Sequence, residues 1–323
     1  MSEFDIVTRG LTKVFGHFTA VDNLNLEVEV GELFGLLGPN GAGKTTTVRM
    51  LCTLIEPTRG QAKVAGYDVA TEPAKVRRNI GVVSDGVLLY KDLTVEENLK
   101  LLAKLYGLPK AKAEDRMREL FELFKFNEKA KRQVKALSSG WFKKSMIVAA
   151  LIHTPKVLFL DEVTSGLDPQ TAIALREFTR KLCDQGVTVV WTTHIMEEPE
   201  KICDRVGIIY EGRLIQIGRP SDLTRGISEL SVIEVETPNL QSDLIDKIKT
   251  YNDVSKVTYE DPILRISCLR GGDISEEIVK LLINSGARVR SVRPVEPTLE
   301  EAFVSLTGGE EEIDRFLEMS SKR

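Results

Sequence analysis

The chain has 323 residues, a length that fits about two domains at roughly 150 residues each. Apolar residues make up 42% and charged residues 28%, the balance of a globular chain able to bury a sizeable core. With 44 Lys+Arg against 48 Asp+Glu the net charge is −4, which excludes a protein-wide positive field for holding nucleic acid. The longest apolar runs, such as MIVAALI from Met146, fall short of the ~20 residues a membrane span needs. The segment MSEFDIVTRG carries acidic residues and no hydrophobic signal, so secretion is not expected. Cys52, Cys183, Cys203 and Cys268 lie far apart without a CxxC pair, and are expected to be buried, reduced thiols.

The first thirty residues alternate apolar and polar side chains, as in IVTRGLTKVF and VDNLNLEVEV, and predict half-buried antiparallel strands. LFGLLG predicts a short buried strand, followed by a Gly-rich turn and a helix starting near Lys44. Residues 71–155 read mostly as helices. One of them, TVEENLKLLAKLYGL, opens with Thr94 and carries Glu97 three residues later, a capping-box pattern. KVLFLD and GVTVVWTTH are rich in apolar and β-branched residues and suit buried parallel strands. Strands alternating with helices predict an α/β layer fold, with a helical block inserted at about residues 88–155.

Gly, Pro, Ser and Asp cluster in GRPSDLTRGISE, residues 218–229, and mark a domain break that divides the chain into 1–218 and 219–323. Beyond it come strand SVIEVE, a helix from Leu240, strands VSKVTYE and ILRISCL, a helix from Ile274 and strand ARVRSVRP. That order matches a split βαβ, ferredoxin-like α+β unit. A short helix from Pro297 and an acidic tail, GEEEIDRFLEMSSKR, follow. Residues 1–218 hold 30 Lys+Arg against 28 Asp+Glu and the remainder 14 against 20, so the acidic excess belongs to the second domain.

The strongest motif is Gly38-Pro39-Asn40-Gly41-Ala42-Gly43-Lys44-Thr45, with Thr46 behind it, between a predicted strand and a predicted helix. Glycines let backbone N–H groups turn inward around phosphate oxygens, and the helix N-terminus favours anions. Lys44 is placed to reach the β- and γ-phosphates of a nucleotide, and the Thr45 hydroxyl to ligate Mg²⁺. The strand Val157–Leu160 ends in Asp161 and Glu162. Asp161 is expected to hold Mg²⁺, directly or through water, and Glu162 to polarise a water for in-line attack. Thr192-Thr193-His194 ends the next strand, at the edge where parallel sheets bind ligands.

Leu137-Ser138-Ser139-Gly140-Trp141 resembles the LSGGQ signature of the ATPase subunits of ABC transporters, its Gly140 lying 21 residues before Asp161 (161 − 140). Ser165-Gly166-Leu167-Asp168 resembles that family's D-loop, His194 holds its switch position, and Phe15 matches the aromatic that stacks on adenine. The resemblance implies a P-loop NTPase domain with a mixed sheet, an antiparallel β subdomain and a helical subdomain. It also implies ATP and Mg²⁺ as ligands, and an ATP-dependent head-to-tail homodimer formed through the signature and D-loop. In such a dimer Ser138, Ser139 and Gly140 meet the γ-phosphate held by the opposing Lys44 loop. A separate integral membrane permease is the implied partner, with the chain cytoplasmic and peripheral on the inner face of the membrane; nucleic acid is not.

Several residues depart from the family pattern. Ser84 and Asp85 stand where Pro-Gln is usual, Val163 replaces a proline, and Ser139 and Trp141 replace Gly and Gln in the signature. Asp85 can still hold Mg²⁺ through its carboxylate but cannot donate as an amide does. Because Lys44, Asp161, Glu162 and His194 are all present, an active ATPase is expected. Val295-Glu-Pro-Thr-Leu-Glu-Glu-Ala-Phe303 and Leu306-Thr-Gly-Gly resemble the extension of ATPases that serve drug-, sodium- or polymer-exporting permeases. Two other readings are a soluble ABC protein acting on ribosomes or DNA, and a non-hydrolysing ATP-binding regulator. A single Lys44-type loop and the lack of sustained heptads count against the first.

Overall fold

Strands β1 (Phe4–Phe15) and β2 (Phe18–Glu29) pair antiparallel, with Ile6 opposite Val28 and Thr8 opposite Leu26. Their alternation places Ile6, Leu11, Val21, Leu24, Leu26 and Val28 on one buried face. With β4 (Arg59–Val64) and β5 (Tyr67–Asp68) they form a four-stranded sheet in the order β2-β1-β4-β5. This computed structural model describes residues 3–84, 89–225, 230–269, 274–295 and 298–307.

A second sheet carries the site. Its strands are β3 (Leu33–Leu37), β6 (Ile80–Val83), β7 (Val157–Asp161), β8 (Thr188–Thr193), β9 (Arg205–Tyr210) and β10 (Arg213–Gly218), in the order β10-β9-β3-β8-β7-β6. All neighbours are parallel except β9 and β10. Every residue of β3, β7 and β8 is buried, as continuous apolar runs covered on both faces require. Their register sets Leu37 of β3 beside Thr193 of β8, and Asp161 of β7 beside Thr192 of β8. The three strands therefore end level with one another.

The helices follow the apolar patterning. They are α1 (Lys44–Leu51), α2 (Pro73–Asn79), α3 (Val95–Leu105), α4 (Lys110–Leu123), α5 (Ser139–Leu151), α6 (Pro169–Asp184), α7 (Glu197–Ile202) and α8 (Pro220–Arg225). At the start of α3, Thr94 accepts from the Glu97 N–H while the Glu97 carboxylate accepts from the Thr94 N–H, the expected capping box. The stretch read as mostly helical also contains β6. Four apolar residues, IGVV, carry no periodicity that separates strand from helix. The parallel ladder with β7, Ile80 beside Val157 through Val83 beside Leu160, makes it a strand, and a side chain at Gly81 would meet the Ala150 carbonyl of α5 at 2.5 Å. The thiols are free, with Cys52, Cys183 and Cys268 buried and Cys203 only partly so.

The chain divides into two compact units, Met1–Pro220 and Ser221–Arg323. The second holds β11 (Leu230–Glu236), α9 (Ser242–Lys249), β12 (Val254–Glu260), β13 (Ile263–Leu269), α10 (Ser275–Asn284), β14 (Ser291–Val295) and α11 (Leu299–Thr307). Its antiparallel sheet runs β12-β13-β11-β14, the βαββαβ order of a ferredoxin-like unit. Val235, Leu264, Ile266, Ile248, Ile278 and Leu282 fill its core. Leu299 and Phe303, one turn apart on α11, are both buried, in keeping with a packing role. The expected helix start at Pro297 lies outside the described residues. Among the described residues no helix is long and apolar enough to cross a membrane.

Candidate active site

The 38–45 loop joins β3 to α1, and its backbone demands glycine at two places. A Cβ at Gly38 would lie 2.1 Å from the Ile209 carbonyl oxygen. Gly43 caps α1 at φ 109°, and a Cβ there would lie 2.6 Å from the Ala20 carbonyl oxygen. Asn40 and Gly41 are exposed at the loop tip, Pro39 is partly exposed, and Ala42 packs into the core. Thr45 and Thr46, partly buried, open the first turn of α1, where the unpaired N–H groups of a helix start lie.

Lys44 is 4% exposed. Its ammonium donates to the carbonyls of Gly38 at 2.7 Å and Pro39 at 2.9 Å, and stands 3.6 Å from Glu162 Oε1. Burial draws its pKa below the ordinary lysine value, while the charges of Glu162 and then Asp161 oppose that shift. The lysine is thus bent over its own loop.

Asp161, the last residue of β7, is buried and accepts two hydroxyl hydrogen bonds on Oδ1, from Thr192 at 2.5 Å and Thr45 at 3.3 Å. Thr192 stood in the sequence beside His194 without a role, and its cross-strand partner is what reveals one. Glu162 follows at φ 50°, a left-handed conformation costing a non-glycine residue about 1–3 kcal/mol. Its N–H bonds back to Thr192, through the carbonyl at 3.1 Å and the hydroxyl at 3.2 Å. That turn lifts the Glu162 side chain off the sheet end toward Lys44 and His194. His194 Nδ1 is 3.4 Å from Glu162 Oε1, in an off-axis approach that leaves this buried nitrogen without a hydrogen bond.

The donor set suits Mg²⁺. Asp161 and Thr45 offer hard oxygens side by side, and no group of three His, Cys, Asp or Glu side chains forms a dedicated cage among the described residues. Mg²⁺ is held that way, by one or two protein oxygens plus water and phosphate. Asp85, the further metal and catalytic candidate, lies outside the described residues.

The other candidates occupy separate places. Phe15 ends β1 at 49% exposure with Lys13 Nζ 5.0 Å from its ring, so it is a surface aromatic and not a core one. Ser138 and Ser139 are exposed at the start of α5, and Ser138 caps the helix without spending its side chain on a capping bond. Gly140 lies next to Thr171 and Asp168, where Asp168 caps α6 by accepting from the Thr171 N–H at 2.9 Å. Trp141 turns inward instead, edge-on to Phe126 at 5.1 Å, with Lys129 and Lys144 over its ring at 4.3 and 4.7 Å. Sequence reading also missed Lys143, whose ammonium donates to the Glu162 carbonyl at 3.3 Å and ties α5 to the end of β7.

Comparison with known proteins bears on the family and the fold. The family model described as "ABC transporter" matches residues 21–165. A linearmycin resistance ATP-binding protein of Bacillus subtilis (strain 168) is 36% identical over 301 residues, spanning 92% of this chain and 96% of the relative. The daunorubicin/doxorubicin resistance ATP-binding protein of Streptomyces peucetius is 35% identical over 305 residues, spanning 94% and 92%. A Nod factor export ATP-binding protein I of Ralstonia nicotianae is 36% identical over 307 residues, spanning 93% of each. Among solved structures, an ATP-binding subunit of an ABC transporter superposes with a TM-score of 0.64 at 32% identity, covering 68% of this chain and 92% of that one.

Proposed function

This chain belongs to the family of ABC transporter ATP-binding proteins and is an ATPase, and from that premise we propose that it is the motor subunit of an exporter whose permease is a separate membrane protein. The observation that carries the reading is the convergence of Lys44, Thr45, Asp161, Glu162 and His194 at the level ends of β3, β7 and β8. The export direction rests on the relatives, whose names specify linearmycin resistance, daunorubicin/doxorubicin resistance and Nod factor export.

In this reading the N–H groups of residues 41–46 and the Lys44 ammonium bind the phosphates of ATP, and Phe15 stacks on the base. Thr45 and Asp161 would hold Mg²⁺, which neutralises charge on the β- and γ-phosphates. Glu162 orients the attacking water and takes its proton, and His194 donates toward the γ-phosphate oxygens. Ser138, Ser139 and Gly140 serve the opposing subunit's nucleotide, at the start of a helix whose dipole favours anions. ATP then bridges two copies head to tail, and its hydrolysis releases them to drive the permease. The family's usual setting puts the chain in the cytoplasm, on the inner face of the membrane.

The test uses Glu162→Gln, which keeps the shape and removes the base. Wild-type protein should turn over ATP at least 100-fold faster, while Glu162→Gln in saturating MgATP should elute as a dimer on size exclusion. Equal turnover by the two proteins would sink the role of Glu162. A variant that stays monomeric in saturating ATP would sink the head-to-tail site.

A further inference from the structure

Glu198, in α7, is a buried carboxylate that the hydrolytic scheme leaves unused. Its neighbour Glu197 is an ordinary surface acid, pairing with Lys201 one turn on at 3.1 Å. Glu198 turns inward and is only 5% exposed, and no cation pairs with it among the described residues. A single oxygen, Oε2, accepts from the hydroxyl of Thr164 at 2.9 Å and from the hydroxyl of Thr193 at 2.9 Å. Both threonines are buried, at 6% and 1% exposure. Burying a carboxylate without a counter-charge is unfavourable, and packing α7 on the sheet does not call for one.

The two threonines locate what the carboxylate does. Thr193 is the last residue of β8, immediately before His194. Its hydroxyl donates to Glu198 and accepts from the Ile195 N–H at 3.0 Å, so one side chain grips the chain on both sides of the histidine. Glu198 closes the same turn, its N–H reaching the Ile195 carbonyl at 3.2 Å. Thr164 stands two residues after Glu162, and its carbonyl accepts from the Leu167 N–H at 3.0 Å, anchoring the 165–168 loop. One carboxylate oxygen thus joins the segment that carries His194 to the loop that leads away from Glu162.

We propose that Glu198 is a positioning residue for ATP hydrolysis, holding the His194 segment and the 165–168 loop in register through Thr193 and Thr164. It rests on the reading of Glu162 and His194 as the hydrolytic pair, and adds a connection between them that bypasses the nucleotide. A shift of the 165–168 loop, which that reading places against the opposing subunit, then reaches His194 through two hydrogen bonds on one atom.

The chain has three histidines, His17, His153 and His194, so the imidazole signals of the intact protein can be assigned by NMR with a His194→Gln control. Glu198→Leu should move the His194 signals and leave those of His17 and His153 in place. It should lower kcat for ATP at least 10-fold with KM changed less than 2-fold. Glu198→Gln, whose amide oxygen can accept both hydroxyls, should restore kcat to within 3-fold of wild type. Thr193→Val and Thr164→Val each remove one bond and serve as the softer variants if Glu198→Leu fails to fold. Unmoved His194 signals in Thr193→Val, or a Glu198→Leu enzyme with wild-type kcat, would overturn the proposal. Failure of the underlying reading looks different, because wild type would then hydrolyse ATP no faster than Glu162→Gln.

Discussion

Lys44 Nζ and Glu162 Oε1 stand 3.6 Å apart, and this ion pair is the longest of the three contacts the ammonium makes. An ammonium has three N–H donors, of which Gly38 and Pro39 take two, while Glu162 at 3.6 Å is an ion-pair neighbour beyond hydrogen-bond distance. A phosphate oxygen gripped by Lys44 competes with these three neighbours for the ammonium. The carboxylate is the contact that yields, since the two carbonyls are closer and belong to the loop itself. In the proposed reading, phosphate binding and the release of Glu162 toward water are then one exchange.

Lys44→Ala removes the donor and leaves Glu162 without its cation. ATP affinity, read by titration with a fluorescent ATP analogue, should fall at least 10-fold, which is about 1.4 kcal/mol or more. An unchanged affinity would place the phosphate grip in the backbone alone.

Thr45→Val removes a hydroxyl that lies 3.3 Å from Asp161 Oδ1. The Mg²⁺ concentration for half-maximal ATPase activity should rise roughly 10-fold, the size expected for losing one oxygen ligand together with its support to the other. Removing divalent cations with EDTA should abolish turnover in the wild type. A Thr45→Val enzyme with the wild-type Mg²⁺ dependence would remove this residue from the metal site.

Trp141 packs against Phe126 and beneath two lysines, so truncation should cost stability as well as signature chemistry. For a half-buried aromatic, Trp141→Ala should destabilise by about 2 kcal/mol in urea unfolding. Lys129→Ala alone should cost less than about 1 kcal/mol, the scale of an exposed cation–π contact.

Thr94→Ala removes the hydroxyl that accepts from the Glu97 N–H and leaves the other half of the capping box, the Thr94 N–H on the Glu97 carboxylate, in the backbone. The expected loss is about 1 kcal/mol in denaturant unfolding. Glu97→Gln should cost less, because an amide oxygen still accepts from the Thr94 N–H.

Glu234 sits on β11 between cross-strand partners Arg293 on β14 and Arg265 on β13. Arg293 first, then Arg265, hold its carboxyl below the ordinary glutamate range. The stabilisation is complete above the unfolded-state value, about pH 4. It fades as pH falls from there through the lower folded-state value. Thermal unfolding followed from pH 7 to pH 3 should show Tm falling more steeply in wild type than in Glu234→Gln. Parallel curves would show that this carboxylate contributes nothing to the acid limb.

What could be read from the sequence was whatever depends on local chemistry. The 38–45 loop declares itself because glycine spacing and a lysine have to coincide there, and the capping box because Thr94 and Glu97 are three residues apart. Asp161 and Glu162 were legible as a strand end. What stayed hidden depends on partners distant along the chain. Thr192 gains its role only when β8 lies beside β7, and Lys143 only when α5 crosses over Glu162. β6 is hidden in a helical stretch because four apolar residues have no period, and its strand form depends on the ladder with β7, more than seventy residues further along the chain. Trp141 was legible as a departure from the signature but not as a core contact, since Phe126 and Lys129 are brought to it by the fold.

The level ends of β3, β7 and β8 limit how this site can vary. Leu37 aligns with Thr193, and Asp161 with Thr192, across fully buried ladders. Gaining or losing one residue in any of the three would turn its terminal side chain to the opposite face of the sheet. Apolar residues within these strands can exchange at modest cost if volume is kept, whereas their count cannot change without dismantling the constellation. Length is the invariant that these strands protect, and the loops that leave them are where the chain is free to vary.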